Sequence, residues 1–187
     1  VSSTLASWAR PGAVVDLTPA QGDFTLPDER PDRLLLVSGG SGITPVMSML
    51  RTLCDEGHDG PVTFLHYAPA PEAMIYRREV DELAERHANV RVVRSFTRRA
   101  GAGDVDGRFC AAHLEAAEPQ WREADAYVCG PAGMRDAVVS HYAVAGLAAQ
   151  VHQEAFTPPV VEVPDGHVGG TLRFTASGTA VANDGRP

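Results

Sequence analysis

The residues best placed to do chemistry are three glycines. Gly39, Gly40 and Gly42 lie in the run Leu34-Leu35-Leu36-Val37-Ser38-Gly39-Gly40-Ser41-Gly42-Ile43-Thr44-Pro45, in which an apolar stretch empties into a glycine-rich turn and then into a helix. Glycine removes the Cβ atoms that would keep a bulky ligand off the backbone. A helix opening just beyond such a turn aims unpaired N–H groups and the positive end of its dipole at whatever lies above, which favours a phosphate or pyrophosphate. Thr44 is the expected N-cap and Pro45 the expected first helical residue. The turn is not a Walker loop, because no Lys-Ser/Thr pair follows its last glycine. Nor is it a full G-x-G-x-x-G fingerprint, because Pro45 stands where the third glycine belongs.

Such a turn needs elements to hold it. The apolar run before it suits a strand buried on both faces. Pro45 to Glu56 then reads as a helix, Val62 to Tyr67 as a second buried strand, and Pro71 to His87 as a helix with apolar residues at 76, 80, 83 and 84. Val90 to Phe96 is a third strand, Cys110 to Ala117 a short helix, Ala124 to Val128 a fourth strand, Met134 to Ala148 a helix and Val151 to Phe156 a fifth strand. Strands alternating with helices predict an α/β protein with a doubly wound parallel sheet, whose ligands sit beyond the carboxyl ends of the strands. Before this unit, residues 1 to 9 suit a short helix, and residues 13–18 and 22–26 two short strands. After it, residues 169–176 and 179–182 read as a hairpin around Ser177-Gly178.

The whole chain excludes several classes of function. It has 187 residues, 44% hydrophobic and 21% charged, an ordinary globular composition. A net charge of -8 without a basic run argues against nucleic acid or an anionic membrane as the main partner. No apolar stretch approaches the roughly 18 residues of a transmembrane segment, and no signal peptide is evident. Cys54, Cys110 and Cys129, odd in number and widely spaced, suggest neither a disulfide framework nor a metal knuckle, and fit a reducing cytoplasm. The start at Val1 without a Met and the stop in a strand-like segment suggest part of a longer polypeptide.

With Gly39-Gly40-Ser41-Gly42-Ile43-Thr44-Pro45, Cys129-Gly130-Pro131-Ala132-Gly133-Met134 and Glu154-Ala155-Phe156 in that order, the chain resembles the ferredoxin-NADP reductase superfamily. It is most similar to the bacterial members that carry a 2Fe-2S ferredoxin domain after the reductase. That resemblance implies a flavoprotein oxidoreductase that takes a hydride from NAD(P)H onto FAD and passes electrons to a 2Fe-2S centre and a redox acceptor protein, such as an oxygenase or desaturase. It divides the chain into 1–30, the last piece of an FAD-binding β-barrel; 31–157, the NAD(P)-binding domain; 158–167, a linker; and 168–187, the start of a β-grasp ferredoxin domain.

The resemblance also assigns roles. Gly39, Gly40, Ser41, Gly42, Thr44 and Pro45 hold the pyrophosphate and flank the nicotinamide. Cys129 and Glu154 are the catalytic candidates beside the reacting ring, with Gly130 and Pro131 shaping the turn, Met134 starting the next helix and Phe156 near the flavin. Ser2 matches a serine that contacts the FAD pyrophosphate. Thr97 and Arg98, joined by Arg108, lie where members using NADPH grip the 2′-phosphate, and an Arg fork suits that group. Simpler readings stand beside these. Cys129 can be a small buried filler, Glu154 a solvated edge-strand acid, and Thr97-Arg98-Arg99 a solvated basic loop. The flavin motif expected upstream is absent, and the three cysteines do not make a plant-type cluster pattern. A non-catalytic nucleotide-binding or docking module is therefore the alternative function. A flavin-free dehydrogenase is disfavoured, because no ribose-binding acid follows the second strand and no Tyr/Lys or His/Asp pair ends a strand.

Overall fold

A strand that is to be buried on both faces must be apolar at every position rather than at alternate ones, and Leu34–Gly39 meets that demand along its whole length. In the computed structural model, which describes residues 5, 7–17, 19, 21–156, 170–175 and 178–182, this strand is β1, the centre of a five-stranded parallel sheet. The others are β2 (Val62–Ala68), β3 (Val90–Phe96), β4 (Asp125–Cys129) and β5 (Val151–Glu154), in the order β3-β2-β1-β4-β5. The connecting helices are α1 (Ile43–Asp55), α2 (Arg77–Arg86), α3 (Ala111–Ala117) and α4 (Ala132–Val144). After β1 the chain winds outward through β2 and β3, then crosses to β4 on the other side. The winding therefore reverses between β1 and β4, where sheets of this type open a crevice.

Alternation of side chains sorts the core into two layers. Leu34, Leu36 and Phe64 meet Val46, Met47 and Leu50 of α1 and Val80 and Leu83 of α2. Leu35, Val37, Leu65 and Val128 meet Leu114 of α3, Val138 and Tyr142 of α4, and Trp121. Buried polar groups are mostly paired. Glu118, 6% exposed, accepts from Thr63 Oγ1 at 2.8 Å and from Arg33 Nη1 at 3.2 Å, tying β2 to the segment that leads into β1. Ser38 Oγ lies 2.8 Å from His66 Nδ1.

The chain divides into two compact units, Val1–Ala155 and Phe156–Pro187. In the second, β6 (Thr171–Arg173) pairs antiparallel with β7 (Ala180–Ala182), Leu172 opposite Val181, around a turn in which Gly178 takes a φ of 71°. The hairpin expected there is present with shorter strands. The two strands expected within 13–18 and 22–26 are not formed among the described residues. Val14 and Leu17 are 86% and 87% exposed. A short isolated pair of strands has too little apolar contact to hold together. The helix expected over 71–87 splits instead into a single 3₁₀ turn at Pro71–Ala73 and then α2, separated by Tyr76 in the left-handed region at φ 56°. No described helix is long and apolar enough to cross a membrane.

Candidate functional site

The glycine turn folds differently from its expected form. Gly40–Gly42 make one 3₁₀ turn that runs directly into α1, so Gly42 takes the N-cap position and Thr44 is already inside the helix. Thr44 Oγ1 donates back to the Ser41 carbonyl at 2.9 Å instead of capping a forward N–H. Pro45 falls at the third helical position, still within the first turn, where its missing N–H has no carbonyl to lose.

Two of the three glycines make room for protein rather than for ligand. A Cβ at Gly42 would lie 2.2 Å from the Cys129 carbonyl oxygen and 2.6 Å from the Gly130 nitrogen. One at Gly39 would meet Pro131 Cδ at 2.9 Å and Met134 Sδ at 3.0 Å, and one at Gly130 would meet the Gly39 nitrogen at 2.9 Å. The turns after β1 and β4, about 90 residues apart in sequence, thus pack main chain against main chain. Gly40 differs. Its φ of 55° requires a residue without a Cβ penalty, and a Cβ there would meet nothing within 4 Å.

Above this joint lies a cleft of about 560 Å³, lined by Gly39 and Gly40, by Tyr67, Ala68 and Pro69 at the end of β2, by Thr97, Arg108 and Phe109, and by Pro131, Gly133 and Met134. That volume is in the range of cofactor sites. The N-terminus of α4 opens onto it through Pro131, Gly133 and Met134, and Gly40 of the turn that leads into α1 adds main chain to the lining, so a helix dipole and unshared amides favour an anion there. One wall is aromatic. The Tyr67 and Phe109 rings meet edge to face with centroids 6.2 Å apart, and Tyr67 is 5% exposed.

Six expected site residues therefore line one cleft: Gly39, Gly40, Thr97, Arg108, Pro131 and Met134. Ser41, Gly42, Thr44, Pro45 and Gly130 build the turns beneath without lining it. Arg98 is exposed beside Thr97, and the amides of both bond to the end of β2 and beyond, Thr97 N to Ala68 O and Arg98 N to Pro69 O, at 2.9 Å each. Neither Arg98 nor Arg108 forms an ion pair among the described residues, whereas Arg99 reaches Glu72 at 3.4 Å.

Cys129 and Glu154 sit elsewhere on the same edge. They are register partners across β4 and β5, and Cys129 is also the partner of Ser38. By alternation they face the α1 layer with Ser38 and His66, away from Tyr67. Cys129 is 1% exposed, and burial, aided by the charge of Glu154, pushes its thiol up to about 11. At neutral pH it is a protonated, compact side chain, not a thiolate nucleophile. Phe156 is exposed and belongs to the second unit. Ser2 lies outside the described residues.

Sequence reasoning missed Tyr67, Ala68, Pro69, Phe109 and Gly133. Their signal was positional. The first three end the second strand of a doubly wound sheet, where ligands are expected, and Phe109 follows an arginine already singled out.

Comparison with known proteins agrees with this architecture. Residues 36–140 match the family model for the oxidoreductase NAD-binding domain. An NADPH oxidoreductase of Mycobacterium tuberculosis is 35% identical over 184 residues, which cover 98% of this chain and 46% of that protein. Among solved structures, the flavohem-like FAD/NAD binding domain of nitric oxide dioxygenase from Vibrio cholerae superposes with a TM-score of 0.63 at 28% identity, covering 74% of this chain and 56% of that one. An Amycolatopsis cytochrome P450 reductase gives a TM-score of 0.64 at 26% identity, covering 74% and 42%. The chain thus spans less than half the length of the curated relative.

Proposed function

Since the chain belongs to the ferredoxin-NADP reductase superfamily and carries its oxidoreductase NAD-binding domain, we propose that it binds NAD(P)H across the carboxyl edge of the sheet. In this reading it is the nicotinamide-binding part of a flavin oxidoreductase. FAD and a 2Fe-2S centre, bound by the whole protein, would supply the route from NAD(P)H to an acceptor protein such as an oxygenase or desaturase. The observation that carries the reading is the cleft of about 560 Å³ between the glycine turn after β1 and the N-terminus of α4. Its amides and helix dipole suit a pyrophosphate, and its aromatic wall suits an adenosine.

NADPH is the favoured donor. Arg108 on the cleft and Arg98 at its rim, both free of ion pairs among the described residues, offer guanidinium groups to a 2′-phosphate, and Thr97 adds a hydroxyl. The relative named as an NADPH oxidoreductase points the same way. With a nicotinamide bound at the carboxyl end of β4, Cys129 would act by shape, as a neutral thiol, and Glu154 would be the group able to orient the carboxamide or hold a proton.

Bound FAD would supply the two-electron to one-electron switch. Of the residues assigned to it, Ser2 lies outside the described residues and Phe156 is exposed in the second unit. The division into a barrel segment (1–30), dinucleotide domain (31–157), linker (158–167) and ferredoxin start (168–187), and a cytoplasmic setting, are parts of the same proposal. The antiparallel β6–β7 pair suits the start of a ferredoxin.

Calorimetric titration with 2′,5′-ADP and 5′-AMP tests the site and the donor together. Binding of 2′,5′-ADP, weakened in Arg98→Ala by roughly 1.5–3 kcal/mol while 5′-AMP is nearly untouched, is the expected result. Equal affinity for the two ligands would remove the NADPH assignment, and no binding of either would remove the site.

A further inference from the structure

We propose that His113 is a positioning residue for the dinucleotide. It fixes the Tyr67 ring and the 97–110 loop in the one arrangement that lets the cleft tell 2′-phosphorylated from unphosphorylated adenosine. This inference rests on the dinucleotide reading above.

Tyr67 lines the cleft, and its hydroxyl lies 2.9 Å from His113 Nδ1 while the two rings stack at 5.9 Å with 19° between their planes. His113, on α3, is 8% exposed. Burial lowers its proton affinity more than the backbone at Asp106 raises it, and burial holds the Tyr67 phenol well above its usual range. Both rings are therefore neutral at pH 7. The phenol and Nδ1 share one hydrogen bond, and the same ring also interacts with the Asp106 backbone. One imidazole thus connects the cleft wall to the stem of the loop that carries Arg98 and Arg108.

The rest of that stem is tied down independently. Ser95 Oγ donates to the Gly107 carbonyl at 2.6 Å, Gly101 N–H donates to Asp106 Oδ1 at 2.7 Å, and the Arg94 N–H donates to Asp104 Oδ2 at 2.8 Å. What these bonds leave free is the ring-to-ring placement of Tyr67 and Phe109. That placement sets how far Arg108 stands from an adenosine lying against the wall, and His113 fixes it.

The test measures affinities of the 187-residue chain for 2′,5′-ADP and 5′-AMP, with urea midpoints alongside, in wild type, Tyr67→Phe, His113→Leu and His113→Asn. Tyr67→Phe keeps the ring and removes only the hydroxyl. His113→Asn places an amide, able to accept or donate, where Nδ1 stood. The preference for 2′,5′-ADP should fall by about 5- to 10-fold in Tyr67→Phe and His113→Leu, the loss of roughly one hydrogen bond's worth of placement, and should return to within about twofold of wild type in His113→Asn. A purely structural pair would lower the urea midpoint and weaken both ligands alike, leaving the ratio unchanged, and that result overturns the inference while the dinucleotide site stands. A wild-type chain that binds both ligands equally also overturns it. A chain that binds neither removes the dinucleotide reading itself, and this inference with it.

Discussion

At the scale of single residues, the clearest demand falls on His66. It is 1% exposed, its Nε2 has no partner among the described residues, and burial, with Arg94 nearby, lowers its pKa from 6.5 to about 4. Between those values the unfolded chain holds a proton that the folded chain refuses, so stability is lost as pH falls from 6.5 toward 4 and is flat above that window. A shift of this size corresponds to about 3 kcal/mol. Subtracting the urea-derived stability of His66→Gln from that of wild type at each pH isolates this term from the carboxylates, and the difference should decline by about that amount across the window. A difference independent of pH would mean that His66 takes up its proton as readily in the fold as in the unfolded chain. The sequence marked the cleft's glycines but not their reason. Gly39 and Gly42 read as room for a ligand, whereas the atoms facing them are those of Cys129, Gly130, Pro131 and Met134. That fact belongs to a contact about 90 residues distant in the chain, invisible to any local pattern.

At the scale of elements, what the sequence showed best was whatever burial wrote into composition. The β1 run and the stripe of α1 are apolar because helices cover the sheet on both sides, and those elements lie where the pattern put them. Ends were less legible: α4 starts two residues before the expected Met134 and stops at Val144, with Gly146 at φ 77° just beyond. Tyr76 was counted in an apolar helical stripe, yet its left-handed backbone ends that stripe, and its ring lies under the Arg51 guanidinium at 4.9 Å. The elements are also joined by ion pairs of unequal worth. Arg51 and Glu79 bridge α1 and α2 through two hydrogen bonds of 2.6 and 2.7 Å but remain about 40% exposed. Glu118 is 7% exposed by its side chain and serves both Thr63 and Arg33. Glu79→Ala should cost less than about 1 kcal/mol. Glu118→Ala, which strands a buried hydroxyl and a mostly buried guanidinium, should cost about 3 kcal/mol or more. Chemical denaturation of the two variants decides this, and equal losses would show that the Glu118 strut is as wet as the helix pair.

At the scale of the whole molecule, every residue lining the cleft falls between Gly39 and Met134, inside the first of the two units. A chain ending at Ala155 should therefore keep its affinity for 2′,5′-ADP, measured by the same calorimetry, whereas a tenfold loss, about 1.4 kcal/mol, would assign part of the site to Phe156–Pro187. The fold class was legible at this scale because five strands alternating with four helices admit few topologies. The aromatic wall was not, since it needs the end of β2 and the segment before α3 to meet. The joint beneath the cleft has an evolutionary corollary. Crowding between two side chains can be relieved when one of them shrinks, but the neighbours that would crowd a side chain at position 42 are the carbonyl of Cys129 and the amide of Gly130, which every amino acid possesses. In a saturation library, losses at 42 should have no second-site suppressor at 129 or 130, so lineages that inherit this pair of turns inherit that glycine without an exit.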